Sequence, residues 1–221
     1  MLISSCIMVC AQDTTIIRHV HGKSLHLRID KRTGSIIRIT GFDANLSEYE
    51  LTLDKFTDTN AADQIGKMFV MDYSKIFQLS MKDISKKEIF LDENGWRYSY
   101  AQLFQNIPVE GSDISFRIDK NGGFRDITSR IYPVTSCDTV PLVSLDSCRV
   151  ILKKYLTFEN YQISPGGDLV VLPMDESSGN KYFLAWKIIV LTTDPKNLKL
   201  TYYASARGGA ILKKSGGASS L

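Results

Sequence analysis

Three histidines lie close together near the start of the chain, and their spacing could support metal binding. His19 and His21 are two residues apart in a strand pattern and therefore share one face, and His26 follows across a turn at Gly22. Imidazole nitrogens are common zinc ligands, so a surface site is geometrically possible. The sequence does not establish that a third ligand lies beside His19 and His21. Exposed strand histidines are therefore the preferred interpretation, and we predict no metal site.

No arrangement of residues in the sequence is typical of catalysis. His-Glu-x-x-His, Gly-x-Ser-x-Gly, a P-loop and Gly-x-Gly-x-x-Gly are all absent. The carboxylate pairs Asp92-Glu93 and Asp175-Glu176 fall in predicted turns, where water would solvate them. We therefore predict no catalytic residues, no cofactor and a protein that is not itself an enzyme.

A stripe of aromatic side chains is the other pattern with chemical potential. Four aromatic residues are separated by even numbers of positions along a predicted strand and therefore point to one face: Trp96, Tyr98, Tyr100 and Phe104. They could line a ligand groove. Beside an amphipathic helix, however, aromatic rings at strand spacing usually form hydrophobic core, and that is our prediction.

The overall composition excludes several classes of partner. The chain has 221 residues, with 27 Lys and Arg against 24 Asp and Glu, which gives a net charge of +3. The charge is therefore nearly balanced, and the sequence contains no basic stripe. Nucleic acid is not an expected partner. No apolar run approaches the roughly 20 residues that a membrane-spanning helix needs. A hydrophobic content of 43% is enough for one large or two small cores.

The first twelve residues, MLISSCIMVCAQ, do not fit the pattern of the rest of the chain. They are apolar and small, like the end of a signal peptide, and Val9 and Ala11 suit the −3 and −1 positions of a cleavage site before Gln12. Alternatively, Ile3-Ser4-Ser5-Cys6 resembles a lipobox with a lipidated Cys6. Both interpretations place the true start upstream and predict export, as a secreted, periplasmic or surface-anchored protein. A short buried strand is the remaining alternative.

The cysteines beyond this segment are Cys137 and Cys148. In an exported protein such a pair could form a disulfide. Cys148 also falls on the apolar face of a predicted helix that begins at Ser144, with Ile151, Leu152 and Tyr155, and a small buried thiol would pack well there. Both alternatives remain open from the sequence.

A hairpin pattern occurs three times, as LRIDKRTGSIIRIT, FRIDKNGGFRDIT and TYYASARGGAILKK. In each copy, a residue whose side chain can accept backbone hydrogen bonds precedes a glycine by four positions. The glycine is expected to supply the positive φ that a short loop needs. The three pairs are Asp30 with Gly34, Asp119 with Gly123, and Ser205 with Gly209.

Two amphipathic helices separate the strand-rich stretches. Asn60 is the predicted cap of a helix from Ala61 to about Leu79, and the second helix is the one that begins at Ser144. In the second half, strands DLVVLP and YFLAWKIIVLTT are expected on either side of a loop, MDESSGN. The expected fold class is α+β, with two modules that each pack one helix on an antiparallel β-sheet.

The stretch YAQLFQNIPVEGSDISFRIDKNGGFRDITSRIYP resembles the fungalysin/thermolysin propeptide (FTP) motif. Two positions depart from the family pattern. Asn106 replaces the usual Gly, although Asn also tolerates left-handed backbone, and Ser99 stands where Arg is common, so an ion pair made there would be missing. The matching positions are Tyr100, Gln102, Phe104, Pro108, Val109, Gly111, Asp119 and Gly123.

The second half of the chain resembles a PepSY module, the other part of such pro-regions. The match rests on SLDSCRVILKKYL, on Leu184-Ala185-Trp186-Lys187 and on the last hairpin, which contains Gly209. Ser205 and Ala210 depart from the usual hairpin pattern of that module.

The N-terminal patterns and the two resemblances together predict a division of the chain into segments. Residues 1–12 are a remnant signal peptide or lipoprotein signal, 13–42 an N-terminal β meander, 43–133 the FTP-like module, 134–140 a linker, 141–214 the PepSY-like module and 215–221 a flexible tail.

The function that the resemblance implies is that of a pro-region. In thermolysin-like secreted zinc metallopeptidases, this region assists folding of the catalytic domain and blocks its active-site cleft. The catalytic domain would then be the partner, and it is absent from this chain. The alternative is a free-standing secreted binding or protease-inhibitor protein. Motif residues such as Pro108, Val109 and Gly111 are expected to shape the module, and a tail that includes Lys213 and Lys214 is the candidate blocking segment.

Overall fold

The computed structural model describes residues 13–20, 23–31, 34, 36–40, 44–56, 58–77, 79–176, 179–192 and 198–216. The chain forms two compact units. Unit 1 contains Met1–Gln102 and Ser112–Pro133, and unit 2 contains Leu103–Gly111 and Val134–Leu221. The short segment 103–111 therefore belongs with the C-terminal half, although residues of unit 1 flank it in sequence. The predicted signal segment, 1–12, lies outside the described residues.

Unit 1 begins with a three-stranded antiparallel sheet in the order β1-β2-β3. Its strands are β1 Thr14–Val20, β2 Lys23–Ile29 and β3 Ile36–Thr40. Leu25, Leu27 and Ile39 are buried. Gly34 lies in the β2–β3 connection with φ +69°, and its N–H donates to the carbonyl of Asp30 at 2.8 Å. The prediction of a positive φ at this glycine is confirmed.

The first long helix of unit 1 is α1, Thr59–Asp72, and it is followed by a single turn, α2, Ser74–Phe77. The predicted cap was wrong by two residues. Asp58, not Asn60, caps α1, because its carboxylate accepts the N–H groups of Asn60 and Ala61, both at 2.8 Å. Asn60 uses its own N–H in this bond and so lies inside the first turn. Two 3-10 turns, Leu46–Tyr49 and Leu53–Lys55, precede the helix.

A second antiparallel sheet of unit 1 follows the helices, in the order β4-β5-β7-β8, and β6 pairs with the end of β5. Phe69 of α1 packs on Phe116 and Phe124 of this sheet, with ring centroids 4.6 and 4.4 Å apart. Its strands are β4 Ile84–Asp92, β5 Gly95–Phe104, β7 Asp113–Asp119 and β8 Phe124–Arg130, whereas β6, Ile107–Pro108, lies in the segment that belongs to unit 2.

The aromatic stripe of β5 belongs to the core of unit 1 up to residue 102. Tyr98 and Tyr100 are buried, and Trp96 stacks on Phe56 with ring centroids 5.9 Å apart. The core prediction is confirmed for these three side chains. Phe104, at the end of the same strand, belongs to unit 2.

In its described residues, unit 2 contains one helix, α3, Leu145–Tyr155, and a five-stranded antiparallel sheet. Ser144 caps α3 through a hydrogen bond from the N–H of Ser147 at 3.2 Å, as predicted. The strands run in the order β10-β11-β12-β13, and β9 pairs with the far end of β11. They are β9 Tyr161–Ile163, β10 Asp168–Glu176, β11 Gly179–Thr192, β12 Leu198–Ser205 and β13 Ile211–Ser215.

The strands β10 and β11 are longer than the sequence pattern predicts. Met174 pairs with Lys181, and Asp175 with Asn180, so most of the expected loop MDESSGN is strand. Asp175 and Glu176 are therefore not turn residues. Backbone pairing in an antiparallel ladder needs only the N–H and C=O groups, so polar side chains can continue it when they face solvent.

The two described cysteines are free thiols, which resolves the alternative left open by the sequence. Cys148 is fully buried against Leu152 and the strand residues Ile188 and Val190. Burial raises the pKa of its thiol, so it behaves as a small apolar side chain. The fold as a whole combines helices with antiparallel sheets, and this level of the fold prediction is confirmed. Among the described helices, none has the length and apolar character needed to cross a membrane.

Candidate functional site

Two motif residues of unit 1, Tyr100 and Gln102, are structural. The Tyr100 hydroxyl donates to the side chain and the carbonyl of Asp63 at 3.1 and 3.2 Å, and burial, with the Asp63 charge, raises its pKa. The Gln102 amide donates to the carbonyl of Tyr132 at 2.8 Å and accepts from its N–H at 3.0 Å. Gln102 thus attaches the chain beyond β8 to the sheet.

The next motif residues form a tight hairpin between β5 and β6. Leu103 pairs with Pro108, and Phe104 pairs with Ile107. The two residues of the turn, Gln105 and Asn106, have φ values of +50° and +67°, as a type I′ turn requires. The expectation that Asn106 tolerates the left-handed conformation of the glycine it replaces is confirmed.

Beyond this hairpin, the chain runs along strand β10. Val109 is buried and forms a parallel bridge with Val171, and the N–H of Glu110 donates to the Val171 carbonyl at 2.9 Å. Gly111 then adopts φ +73°, a conformation that favours glycine. The segment is therefore fixed to the sheet of unit 2 by backbone contacts on both sides of a buried valine.

Glu110 is the centre of a polar cluster in unit 2, which we name the Glu110 cluster: Glu110, Lys187 and Tyr203. Its carboxylate oxygens lie 3.0 and 3.1 Å from Lys187 Nζ, and one of them accepts the Tyr203 hydroxyl at 2.9 Å. The Glu110 and Lys187 side chains are only 24% and 30% exposed. Burial, together with the hydrogen bond to Glu110 and its charge, raises the pKa of Tyr203 to about 12.

Sequence reasoning missed Glu110 and Tyr203 as site residues. Glu110 occupies the variable position between Val109 and Gly111 of the motif, and Lys187 follows Trp186 in the second motif. The available signal in the sequence was that each motif contains a charged residue without an assigned role, the acid Glu110 in one and the base Lys187 in the other. Their pairing depends on the backbone contact between residues 109–110 and β10, which the sequence does not reveal.

Trp186 lies beside Lys187 in β11 but points to the other face of the sheet, since neighbouring strand residues alternate. Its indole N–H donates to the carbonyl of Val143 at 2.8 Å, and its ring packs with the core residues around Cys148. Like Gln102 in unit 1, it attaches an irregular segment to the sheet.

The turn at Asp119 differs in one detail from the prediction. The Asp119 carboxylate accepts the N–H groups of Asn121 at 2.8 Å and Gly123 at 2.9 Å, as expected. The positive φ, +79°, belongs to Gly122 rather than Gly123, because Gly123 already pairs with Asp119 across the hairpin. Although burial acts to raise the pKa of Asp119, the two N–H groups and the Arg125 guanidinium outweigh it and lower the pKa.

The turn at Ser205 follows the prediction more closely. Gly209 has φ +77°, and its N–H donates to the carbonyl of Ser205 at 2.8 Å. The Ser205 hydroxyl accepts the N–H of Gly208 at 3.1 Å, so serine performs here the role that aspartate has at residue 119.

Lys213 and Lys214 do not belong to a tail. Both lie in β13, where Lys213 pairs with Tyr203 and Lys214 pairs with Tyr202. Lys214 Nζ also sits 5.3 Å from the centre of the Phe158 ring. Ser215, the expected first residue of the tail, ends this strand. The pairing of the last strand with β12 explains the difference, and residues 217–221 lie outside the described part.

Two further sequence predictions concern polar groups. Ser99, which replaces a common Arg, donates to Asp113 at 2.8 Å, and Lys87 supplies the positive charge at 3.4 Å from the same carboxylate. Asp113 thus contacts both a hydroxyl and an ammonium group. Of the three histidines, His26 is exposed on β2, and His21 lies outside the described residues. Within the described ranges, no group of three His, Cys, Asp or Glu is placed to hold a metal ion.

The Glu110 cluster holds the loop 103–111 in place. The carboxylate is already bound by an ammonium group and a phenol, and charge-assisted hydrogen bonds of this kind hold a loop in one geometry. The loop 103–111 thereby presents Pro108 and the Gln105-Asn106 turn from a fixed base.

Comparison with known proteins gives no family assignment. No family model matches the chain, and no curated protein matches it. Among solved structures, the chain is similar to the Bacillus megaterium YpeB C-terminal domain, with a TM-score of 0.40, 9% identity, and coverage of 94% of this chain and 91% of that one. It is also similar to an uncharacterized protein from Eubacterium rectale ATCC 33656, with a TM-score of 0.42, 12% identity, and coverage of 91% of this chain and 76% of that one.

Proposed function

We propose that the chain is the pro-region of a secreted thermolysin-like zinc metallopeptidase, which assists folding of the catalytic domain and inhibits it. In this proposal the chain combines an FTP-like and a PepSY-like module, each built from one helix on an antiparallel sheet. The protein itself is not an enzyme and acts through a binding surface.

The observation that supports the proposal most is the direct contact between the two motifs. Glu110, in the FTP-like motif, binds Lys187 of the PepSY-like motif at 3.0 Å and Tyr203 at 2.9 Å. The two stretches are 77 residues apart in sequence. Contact between the two stretches is expected if they are parts of one pro-region.

The position of Lys213 and Lys214 changes the expected mode of inhibition. Because both residues are paired in β13, a free segment that enters the active-site cleft cannot begin at Lys213 without opening the sheet. The same observation favours the second candidate, a free-standing secreted binding or protease-inhibitor protein that acts through its folded surface. A standard interface needs about 800 Å² on each partner, which a unit of this size can supply.

Two assays with a thermolysin-like catalytic domain test the function. The full chain, added at micromolar concentration, should raise the refolding yield of the denatured domain and lower the proteolysis by the folded domain. Glu110→Ala should weaken both effects, because the loop 103–111 loses its charged anchor. Glu88→Ala, at an exposed strand position, is the matched control and should act like the wild type.

The outcomes separate the two candidates. Inhibition without any gain in refolding yield would favour the free-standing inhibitor. If neither refolding nor proteolysis changes, the pro-region proposal is wrong. Deletion of residues 217–221 leaves β13 intact, so it tests a blocking role of the final residues without removing an edge strand.

We also propose that the protein is exported. Mass spectrometry of the natural product should find a mature chain that begins near Gln12, outside the cytoplasm. A lipidated Cys6 would keep export and reject that cleavage site. An intact Met1 in the cytosolic fraction would contradict export altogether.

A further inference from the structure

The outward face of α3 is unusually apolar for a surface helix. Cys148 and Leu152 fill the buried face of the helix. The apolar side chains of Val150, Ile151 and Tyr155 are instead exposed, by 54, 37 and 57% of their surface. A helix that packs one face on a sheet normally keeps charged or polar residues on the other. The exposed apolar side chains therefore indicate a surface that is covered in use.

The apolar surface continues beyond the helix. Leu142, exposed by 66%, is held at the start of α3 by a hydrogen bond from its N–H to the Ala206 carbonyl at 2.8 Å. The turn that contains Ala206 approaches the helix closely, since a Cβ on Gly209 would lie 2.5 Å from Ile151 Cδ1. The segment before α3, the helix and the turn after β12 thus form one surface.

Lysines border this surface at the C-terminal end of the helix. Lys153 and Lys154 are exposed on α3 itself. Lys214 Nζ lies 5.7 Å from the centre of the Tyr202 ring. The Tyr202 ring in turn makes an edge-on contact with Tyr155, with ring centroids 6.2 Å apart. We name the whole surface the α3 face, and its members are Leu142, Val150, Ile151, Tyr155, Lys153, Lys154 and Lys214.

A cavity of about 300 Å³ opens beside Val150 on the same surface. Arg149 and Lys153 line it. Arg149 uses its terminal nitrogens for Asp146 at 2.6 Å and for the carbonyls of Ser164 and Pro165. Its Nε is buried, and none of the described residues accepts a hydrogen bond from it. An anionic oxygen in the cavity would meet the Lys153 ammonium group beside the Arg149 side chain, and among the lining residues Asp146 is the opposing charge.

We propose that the α3 face docks on an anionic phospholipid surface. A lipid phosphate occupies the cavity, where Lys153 binds it beside Arg149, and the apolar side chains enter the interface between head groups and acyl chains. A helix face that combines exposed aliphatic residues, a tyrosine and a lysine border matches that interface in both apolarity and charge. The docking activity goes beyond the proposed function and does not depend on it.

Vesicle binding by the full chain tests the proposal. The chain should cosediment with vesicles of phosphatidylcholine that contain about 30% phosphatidylglycerol, and much less with pure phosphatidylcholine. High salt should weaken binding, because it screens the lysines. Lys214→Glu should lower the partition coefficient by about fivefold for each unit of charge changed. Lys213→Glu is the matched control, since Lys213 pairs with Tyr203 and points to the opposite face of β13.

A second pair of variants tests the apolar part. Val150→Glu should abolish cosedimentation, whereas Leu191→Glu should not, because Leu191 is exposed by 45% on the face of β11 away from α3. Circular dichroism of each variant confirms that the fold is retained. Inorganic phosphate alone should bind far more weakly than vesicles, because it lacks the apolar contribution.

Three results would overturn the proposal. The first is an absence of cosedimentation at low salt. The second is equal binding by Lys214→Glu and Lys213→Glu. The third is phosphate binding as tight as vesicle binding, which would indicate an anion site without docking. If the α3 variants instead lose inhibition of a peptidase domain while the wild type ignores vesicles, the surface binds protein.

Discussion

The two units differ in how each helix meets its sheet. In unit 1, two aromatic rings pack directly on the backbone of α1 at Gly66. A Cβ on Gly66 would lie 2.4 Å from Tyr100 Oη and 2.6 Å from the Tyr98 ring. In unit 2, α3 presents Cys148 and Leu152 to aliphatic strand residues. Rings in close contact with backbone cannot adjust, whereas aliphatic side chains can change rotamer. Unit 1 should therefore be the less tolerant of change at its helix.

The motif residues show the same contrast. Gln102 in unit 1 makes two hydrogen bonds to the backbone of Tyr132, while Trp186 in unit 2 makes one to Val143 and adds ring packing. Both residues attach an irregular segment to a sheet. Unit 1 relies on specific polar geometry for this, and unit 2 relies more on apolar area.

The largest effect is expected at Gly66. Gly66→Ala should lower the free energy of unfolding by about 3 kcal/mol, because the new methyl group overlaps a buried ring and helix propensity offsets only about 1 kcal/mol of that cost. Chemical denaturation measures the change. Gly166→Ala, with no atom within 4 Å of the new Cβ, should stay near wild type. An unchanged midpoint for Gly66→Ala would mean that the rings can move away from α1.

A smaller effect is expected at the polar attachment. Gln102→Leu should cost about 2 kcal/mol, because it removes both hydrogen bonds between the Gln102 side chain and the partly buried backbone of Tyr132. Trp186→Phe removes one hydrogen bond but keeps most of the ring contact, so it should cost about 1 kcal/mol. Thermal denaturation of both variants gives the comparison. If Trp186→Phe proved the more damaging, the proposed contrast between the units would be wrong.

The Glu110 cluster should make unit 2 sensitive to alkali. The pKa of Tyr203 is raised to about 12 in the folded state, against about 10 in an unfolded chain. The folded state therefore holds the proton more tightly, so this stabilisation is complete below about pH 10 and is lost as the pH rises through about 12. Tyr203→Phe should flatten the fall in stability over that range.

Urea midpoints of wild type and Tyr203→Phe across this range measure the difference. Other buried tyrosines, including Tyr100, also titrate late, so only the difference between the two proteins reports on Tyr203. Parallel curves would exclude a contribution from the cluster.

The smallest effect is expected at the turns. The lowered pKa of Asp119 means that its contribution is complete above its ordinary value, near pH 4, and is lost as the pH falls through the folded value. Asp119→Ser should remove this acid dependence, and Ser205→Asp should introduce it at the corresponding turn of unit 2. Because Asp119 is partly exposed, each change should stay below about 1 kcal/mol. Stability measured at acid and neutral pH would detect it, and equal acid sensitivity in all three proteins would contradict it.

Local patterns predicted local geometry well. The left-handed glycines at residues 34 and 209 followed from the spacing of acceptor and glycine, since such turns are made by residues within one hydrogen-bonded loop. Helical periodicity placed Cys148, Ile151, Leu152 and Tyr155 on one apolar face of α3. Cys148 and Leu152 are buried, whereas Ile151 and Tyr155 are exposed. The tolerance of Asn106 for positive φ followed from its short side chain.

Predictions failed where two local choices were equally acceptable. Asp58 and Asn60 are both residue types that cap helices well. Asp58 is the cap because it is the residue with extended backbone immediately before the helix. The stretch from Met174 to Asn180 contains good turn residues, yet pairing with the neighbouring strand extended the ladder through most of it. Lys213 and Lys214 similarly joined an edge strand instead of a tail.

The sequence by itself determined the helices, the turn chemistry and the apolar faces, because these depend on side chains a few residues apart. Only the tertiary structure decided the Glu110 cluster and the grouping of residues 103–111 with unit 2. Both depend on a backbone bridge between Val109 and Val171, 62 residues along the chain. Backbone N–H and C=O groups are the same in every residue except proline, so no side-chain pattern encodes which distant strand they will bind.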